Sequence, residues 1–142
     1  MSTDAPTLGS VGGSQSDTLD ASRLDASLTV SDLPRSLTWY RDVVGFVVDK
    51  QYERDGRPFA VSLRAGSARI LIVQDDGAKG MDRAKGEGFS LRLTTTADVD
   101  DIARRIKARG GALATEPADA WGARMFRLRD PDGFLFTISS QQ

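Results

Sequence analysis

The sequence predicts an α+β fold in which two βαβββ modules form a curved mixed sheet, shaped as a cup, with helices on its outer face. Alternating polar and apolar residues indicate several short strands, and two longer segments show the 3.6-residue spacing of amphipathic helices. One helix and four strands then occur twice in the same order. Leu28 and Leu91 lie 63 residues apart, and Gly45 and Gly110 lie 65 residues apart, which indicates a repeated unit.

The first module opens with a strand in which Leu28 and Val30 alternate with polar residues. Ser31 or Asp32 can cap the helix that follows, and Gly45 ends it. The apolar face of this helix comprises Leu33, Leu37, Tyr40 and Val44. Three further strands are predicted at Phe46–Glu53, Phe59–Ala65 and Ala68–Gln74, joined by turns at "RDGR" and "AGSA".

The second module repeats this plan. Its first strand is "FSLRLTT", and Asp98 can cap a helix whose buried face carries Val99, Ile102 and Ile106. The Gly110–Gly111 pair ends that helix. Three strands are predicted after it, at Ala112–Thr115, Arg124–Arg129 and Phe134–Ser139, and the Asp130-Pro131-Asp132-Gly133 run is predicted to be a turn.

These elements predict one domain over residues 22–142, made of module one (24–74), a linker (75–88) and module two (89–140). Residues 1–21 are rich in Ser, Thr, Gly and Asp, and we expect a flexible tail because they offer little apolar surface to bury. The linker is polar and contains several glycines, so it is predicted to be solvated or to form a mobile flap over the cup.

Composition excludes several kinds of function. The 142 residues carry a net charge of -1, which gives no reason to expect nucleic acid or an anionic membrane as a partner. There is no cysteine, so disulfides and thiolate chemistry are excluded, and there is no histidine to act as a base or metal ligand. No apolar run is long enough to span a bilayer and no secretory signal is evident, so we expect a cytoplasmic protein.

Several motifs together resemble the vicinal oxygen chelate superfamily, which includes glyoxalase I, bleomycin-resistance proteins and extradiol dioxygenases. "LTVSDLPRSLTWYRDVVGF" resembles the opening strand, helix and Gly-Phe of that group. "DVDDIARRIKARGG" and "WGARMFRLRDPDGFLF" resemble its second module. The resemblance covers about residues 24–139 and implies the fold rather than one activity, because this scaffold hosts lyases, dioxygenases and binding proteins. It also implies a homodimer.

In metal-dependent members of that superfamily, up to four positions facing the cup carry His, Gln or Glu. The resemblance transfers them to Asp25, to Ile72 or Gln74, to Phe89 or Ser90, and to Thr137. A catalytic divalent cation usually needs at least two carboxylates or imidazoles, which this set does not supply. We therefore predict no metal site and no cofactor.

Strand alternation predicts which other side chains face the cup. If Leu28, Leu91, Phe126 and Phe136 pack against the helices, their strand neighbours point inward. The predicted ligand-binding residues are Ser27, Ile72, Gln74, Ser90, Arg92, Trp121, Met125, Arg127 and Thr137. Arg92 and Arg127 could hold a carboxylate, phosphate or enolate oxygen, and Trp121 could stack on a planar ligand. Alternatively, the two arginines pair with Asp25 or Glu87 or lie at a solvated end of the barrel, and Trp121 only packs.

Two functions are compatible with such a cup. The first is a small-molecule-binding protein that sequesters a planar organic compound without metal or turnover. The alternative is a metal-independent lyase, isomerase or dioxygenase-like enzyme that acts next to a carbonyl, with Asp25 as catalytic base. A third reading is a partner-binding domain whose cup is filled by its own side chains, such as Met125 and Leu135.

Overall fold

A computed structural model of the chain describes residues 17–141 and contains both predicted modules, which confirms the fold class. Most of the predicted tail, residues 1–16, lies outside the described residues. The first module comprises β1 (Ala26–Val30), α1 (Leu33–Thr38) with a π-helical turn (Trp39–Val44), β2 (Val47–Arg54), β3 (Arg57–Ala65) and β4 (Ala68–Gln74). The second comprises β5 (Ser90–Thr95), α2 (Val99–Ala108), β6 (Thr115–Ala120), β7 (Ala123–Arg129) and β8 (Leu135–Ser140).

The strands form two curved four-stranded sheets with the same topology. Their orders are β1-β4-β3-β2 and β5-β8-β7-β6. In each sheet the first pair is parallel, because the chain crosses over through the helix, and the other pairs are antiparallel. The predicted cup is therefore divided, within the described chain, into two separate sheets rather than one continuous sheet.

The predicted helix boundaries are confirmed. Asp32 accepts a hydrogen bond from the Arg35 backbone N–H at 3.1 Å, and Asp98 caps α2 in the same way. Gly45 ends the first helix with a φ of 110°, a conformation that favours glycine. The π-helical turn before it was not predicted, because Tyr40 in this turn is buried, as an α-helix over the same residues would also predict.

Both modules share one hydrophobic core. It contains Leu28 and Ile72 from the first sheet, Phe126 and Phe136 from the second, and Ile106 of α2. Each sheet therefore has a core face, packed on the helices and the other module, and a second face turned away from the core, which we call its open face.

The Asp130-Pro131-Asp132-Gly133 run is a turn, as predicted, and it also connects the two modules. The Asp130 carboxylate accepts a hydrogen bond from the Tyr40 hydroxyl at 2.7 Å. Asp132 accepts hydrogen bonds from the backbone N–H and hydroxyl of Ser31. Side chains of the turn thus hold the first module at both ends of its first helix.

The strand predicted at Ala112–Thr115 is wrong. The strand there, β6, runs from Thr115 to Ala120 and contains Pro117. Proline weakens a strand prediction because it has no backbone N–H to donate. However, β6 is an edge strand with one neighbour, so a proline N that faces away from that neighbour costs no inter-strand hydrogen bond.

Candidate functional site

A row of polar side chains crosses the open face of the second sheet. Arg92 on β5 lies beside Thr137 on β8, which lies beside Arg127 on β7. Residues at the same register of neighbouring strands share a face, so the three side chains form one continuous row. Ser90 and Met125 lie on the same face by strand alternation, so the structure brings together five of the residues predicted to bind a ligand.

Neither arginine in this row has a carboxylate partner among residues 17–141. Arg92 donates to the Ser139 hydroxyl at 3.0 Å, and the exposed Arg127 side chain makes no hydrogen bond or ion pair there. Asp25 and Glu87 were the predicted alternative partners, and neither is bound to them. Two guanidinium groups beside threonine and serine hydroxyls can bind a carboxylate or phosphate through paired hydrogen bonds.

One end of this open face continues into a cavity of about 650 Å³. It is bordered by Ser90, Arg129 and Leu135 of the sheet, by Asp132 and Gly133 of the turn, and by linker residues 84–88 with the adjoining Phe89. This volume falls within the range of small-molecule pockets, about 300–1,000 Å³. The linker thus forms one wall of the candidate site.

The linker is held in place by a buried ion pair. The Asp75 carboxylate lies 2.6 Å from the Lys85 ammonium, and both side chains are almost completely buried. Asp75 also accepts from the Gly77 backbone N–H. The hydrogen bond from Lys85 and, to a smaller extent, that from the Gly77 backbone N–H lower the pKa of Asp75 to about 2. The prediction of a wholly solvated linker is therefore wrong at these two residues.

The open face of the first sheet carries a second, smaller cavity of about 240 Å³. Its lining includes Asp25 and Ser27, which were predicted, together with Tyr52, Ser62 and Leu71, which were not. Strand alternation could have identified Ser62 and Leu71. They alternate along β3 and β4 with apolar residues that are all buried: Val61, Leu63, Ile70 and Ile72.

Ile72 and Gln74 do not face this cavity, so their predicted orientation is wrong. Ile72 is fully buried in the core because it pairs with Leu28 in the parallel β1–β4 ladder, and paired residues share a face. The Gln74 side chain accepts from the Leu33 backbone N–H at 2.8 Å and donates to the Ser31 carbonyl at 2.9 Å. Gln74 therefore holds the start of α1.

Two predicted residues, Asp25 at the border of the smaller cavity and Trp121, lie at exposed positions. Asp25 precedes β1 and forms an ion pair with Arg23 at 2.7 Å. Trp121 occupies the tip of the two-residue turn between β6 and β7, where it is 82% exposed. Its φ is 55° and that of Gly122 is 76°, so both turn residues are in the left-handed region.

Comparisons with known proteins agree with this architecture. The sequence model of the Glyoxalase/Bleomycin resistance protein/Dioxygenase superfamily matches residues 23–138. The chain belongs to this superfamily. Its members include lyases and dioxygenases, so membership identifies the fold but does not identify a reaction.

Individual members of the superfamily are similar at low identity. Lactoylglutathione lyase GLX1 of Arabidopsis thaliana is 22% identical over 116 residues, which are 77% of this chain but only 40% of that protein. The structure of TioX from Micromonospora sp. ML1 matches with a TM-score of 0.69 and 22% identity, over 86% of this chain and 100% of TioX. TnmS3, an antibiotic binding protein from Streptomyces sp. CB03234, matches with a TM-score of 0.69 and 24% identity, over 88% of this chain and 100% of TnmS3.

The positions that the resemblance assigned to metal ligands do not fit a divalent cation in this chain. Asp25 is bound to Arg23, Gln74 is engaged at the start of α1, and Ser90 and Thr137 offer only hydroxyl groups. Within residues 17–141, no group of three or more Asp, Glu, His or Cys side chains is arranged to hold a metal ion. No helix in that part of the chain has the length and apolar character needed to cross a membrane.

Proposed function

We propose that this protein binds a small planar organic anion on the open face of the second sheet and sequesters it without chemical conversion. The row of Arg92, Thr137 and Arg127 carries this proposal. It combines a neighbouring cavity with two guanidinium groups that have no carboxylate partner in the described part of the chain, which are the features of a site for a charged group attached to a larger body.

Two further observations support the proposal. TnmS3, a protein of similar fold, is named as antibiotic binding, so the scaffold can serve for binding a small molecule. The cavities of about 650 Å³ and about 240 Å³ on the open faces argue against a cup filled by its own side chains. Trp121 is proposed to stack on the planar part of the ligand.

Each complete site is proposed to need a second copy of the chain. The two sheets pack on one shared core, so a single chain cannot bring its two open faces together. Within the described chain, the edge strands β1 and β5 each pair with one neighbour and leave an edge available for pairing. A two-fold dimer that joins β1 of one protomer to β5 of its partner would place the open face of the first sheet beside the arginine row.

Binding of 1-naphthoate, measured by isothermal titration calorimetry against the neutral 1-naphthamide, tests the proposal. We expect 1-naphthoate to bind more tightly, because the amide cannot form an ion pair with the arginines. Arg127→Gln should weaken binding by about tenfold, which corresponds to about 1.4 kcal/mol. Arg104→Gln is the matched control, because Arg104 lies on the exposed side of α2 and pairs with Asp101.

Equal binding of naphthoate and naphthamide, or equal effects of Arg127→Gln and Arg104→Gln, would contradict the proposal.

A catalytic role for Asp25 has less support. A carboxylate base is usually activated by burial, whereas Asp25 is exposed and bound to Arg23. Turnover of any carbonyl substrate that is lost in Asp25→Asn, with folding unchanged, would restore the enzymatic alternative.

A further inference from the structure

A third cavity, which we call the inter-module cleft, shares no lining residue with the two open-face cavities. It is bordered by the π-helical turn, the β3–β4 turn at Gly66, the end of β5 with Thr96 and Ala97, and α2. Its volume is about 770 Å³, which is sufficient for a small organic ligand. The two modules therefore leave a surface cleft where their helices and sheets meet.

The charge of this cleft is of one sign. Arg41, Arg105 and Arg109 line it, and none of the described residues in its lining is acidic. Arg41 is already paired with Asp42, through two hydrogen bonds of 2.9 and 3.1 Å. The side chains of Arg105 and Arg109 make no ion pair or hydrogen bond within residues 17–141, although Arg105 also borders a neighbouring surface groove that contains Asp98 and Asp101.

Two other basic residues of α2 do have carboxylate partners. Arg104 pairs with Asp101, and Lys107 pairs with Glu116. Arg105 and Arg109 are four residues apart, so they lie on one face of the helix, and like charges at this spacing repel each other. The negative end of the helix dipole favours cations near the last turn, but it supplies no paired carboxylate for Arg105 or Arg109.

The shape of the cleft leaves the Arg109 guanidinium accessible. A Cβ atom at Gly45 would lie 3.6 Å from Arg109 Nη1, so the guanidinium lies against the backbone of the glycine. Partly exposed aliphatic side chains, Val44, Leu93 and Ile102, form the apolar part of the lining. An anion bound here would contact two guanidinium groups and a small apolar surface at once.

We propose that the inter-module cleft binds a small organic anion, with its carboxylate or phosphate group between Arg105 and Arg109 and a short aliphatic body against Val44, Leu93 and Ile102. Guanidinium groups form paired hydrogen bonds with either kind of anion. This site is separate from the arginine row of the open face and does not depend on the function proposed for that row.

Titration of ¹⁵N-labelled full-length protein with butyrate, inorganic phosphate and the neutral butyramide tests the inference. We expect saturable shifts of the amide signals of Gly45, Gly66 and Ala97 with butyrate or phosphate, and none with butyramide. The relative affinities of butyrate and phosphate then distinguish a carboxylate ligand from a phosphate ligand. Raising the salt concentration from about 50 to about 500 mM should weaken binding, because the paired charges are near the surface.

Variants separate this site from the rest of the molecule. Arg105→Gln and Arg109→Gln should each weaken anion binding by about tenfold. Arg104→Gln on the same helix and Arg127→Gln on the open face should leave it unchanged. The inference is overturned if neither anion shifts the cleft amides, if butyramide binds as well as butyrate, or if Arg104→Gln or Arg127→Gln has the same effect as Arg105→Gln.

Discussion

Tyr40 shows how one side chain can connect two modules. Its ring packs edge-on against Phe46 of its own module and Phe136 of the other, with ring centroids 5.5 and 5.8 Å away. Its hydroxyl donates to the buried Asp130 carboxylate. Burial and the neighbouring carboxylate raise the pKa of Tyr40 well above its ordinary value, so the hydroxyl keeps the proton that it donates.

Tyr40→Phe should lower the free energy of unfolding by about 1–3 kcal/mol, because it removes one donor from a buried carboxylate. Burial raises the pKa of Asp130 and the Tyr40 hydrogen bond opposes this, so the variant should raise that pKa further. A raised carboxyl pKa disfavours the folded state once the group ionises, so the destabilisation should be smaller at acidic pH than at pH 7.

Urea unfolding across this pH range, with ¹³C NMR of the Asp130 carboxyl, measures both effects. Tyr52→Phe is the control, because Tyr52 is partly exposed on β2 and is expected to change stability little. An unchanged Asp130 pKa in Tyr40→Phe would show that the hydrogen bond has no energetic role.

At the scale of elements, the linker is fixed by its ion pair rather than by regular structure. Asp75 and Lys85 are buried, and Gly86 packs so tightly that an added Cβ would lie 2.5 Å from the Phe134 ring. An isolated buried charge is strongly unfavourable, so each partner depends on the other. The linker wall of the candidate site should therefore respond to pH.

Asp75→Asn should destabilise the protein at pH 7 and less so in acid. The folded-state pKa of Asp75 is lowered to about 2, so its stabilising effect is complete above the unfolded pKa of about 4. This stabilisation is lost as the pH falls from about 4 towards 2. Thermal unfolding of wild type and variant should converge over this interval, whereas Asp42→Asn, which breaks an exposed pair, should have little effect at any pH. A constant difference would exclude this role for Asp75.

Two hairpins of the fold can be compared directly. Asp55–Gly56 joins β2 to β3, and Trp121–Gly122 joins β6 to β7, each with both residues at positive φ. Asp or Asn before Gly suits this turn, whereas a bulky aromatic residue is strained there. A residue that opposes the local preference suggests a requirement other than folding, which supports ligand stacking by Trp121.

Trp121→Asn should therefore raise the free energy of unfolding by about 0.5–1 kcal/mol and weaken 1-naphthoate binding. Asp55→Asn is the matched control and should change neither quantity, because both residues suit the turn. Chemical denaturation and calorimetry measure the two effects separately. Undiminished naphthoate binding in Trp121→Asn would remove this residue from the site.

The sequence predicted the number and order of the elements, although it misplaced β6 and missed the π-helical turn, and it did not predict the faces of all strands. Caps at Asp32 and Asp98 and the repeated order of elements identified both modules. The alternation on β5, β7 and β8 correctly grouped Arg92, Arg127 and Thr137. It failed on β4 because its apolar run of Ile70 to Val73 hides which face is buried, and only the parallel pairing with β1 decides this.

For the whole molecule, what the sequence could not supply is the relation between modules. The contacts that join them, such as Tyr40 with Asp130 and Ser31 with Asp132, depend on residues about 90–100 positions apart and follow no periodic pattern. They place the helices and core faces together. As a consequence, the two open faces that carry the proposed binding residues belong to different sheets, which is the basis of the proposed dimer.

A complementation experiment tests this dimer. Leu71→Glu should damage the open face of the first sheet, and Arg127→Gln that of the second, so that neither variant alone binds 1-naphthoate well. If each site combines sheets from two protomers, a mixed dimer has one doubly damaged site and one intact site. Co-refolding equal amounts should then restore about a quarter of the sites for random assortment of a two-fold dimer. Light scattering should give twice the mass of one chain throughout. A monomeric mass, or no recovery after co-refolding, would place the whole site within one chain.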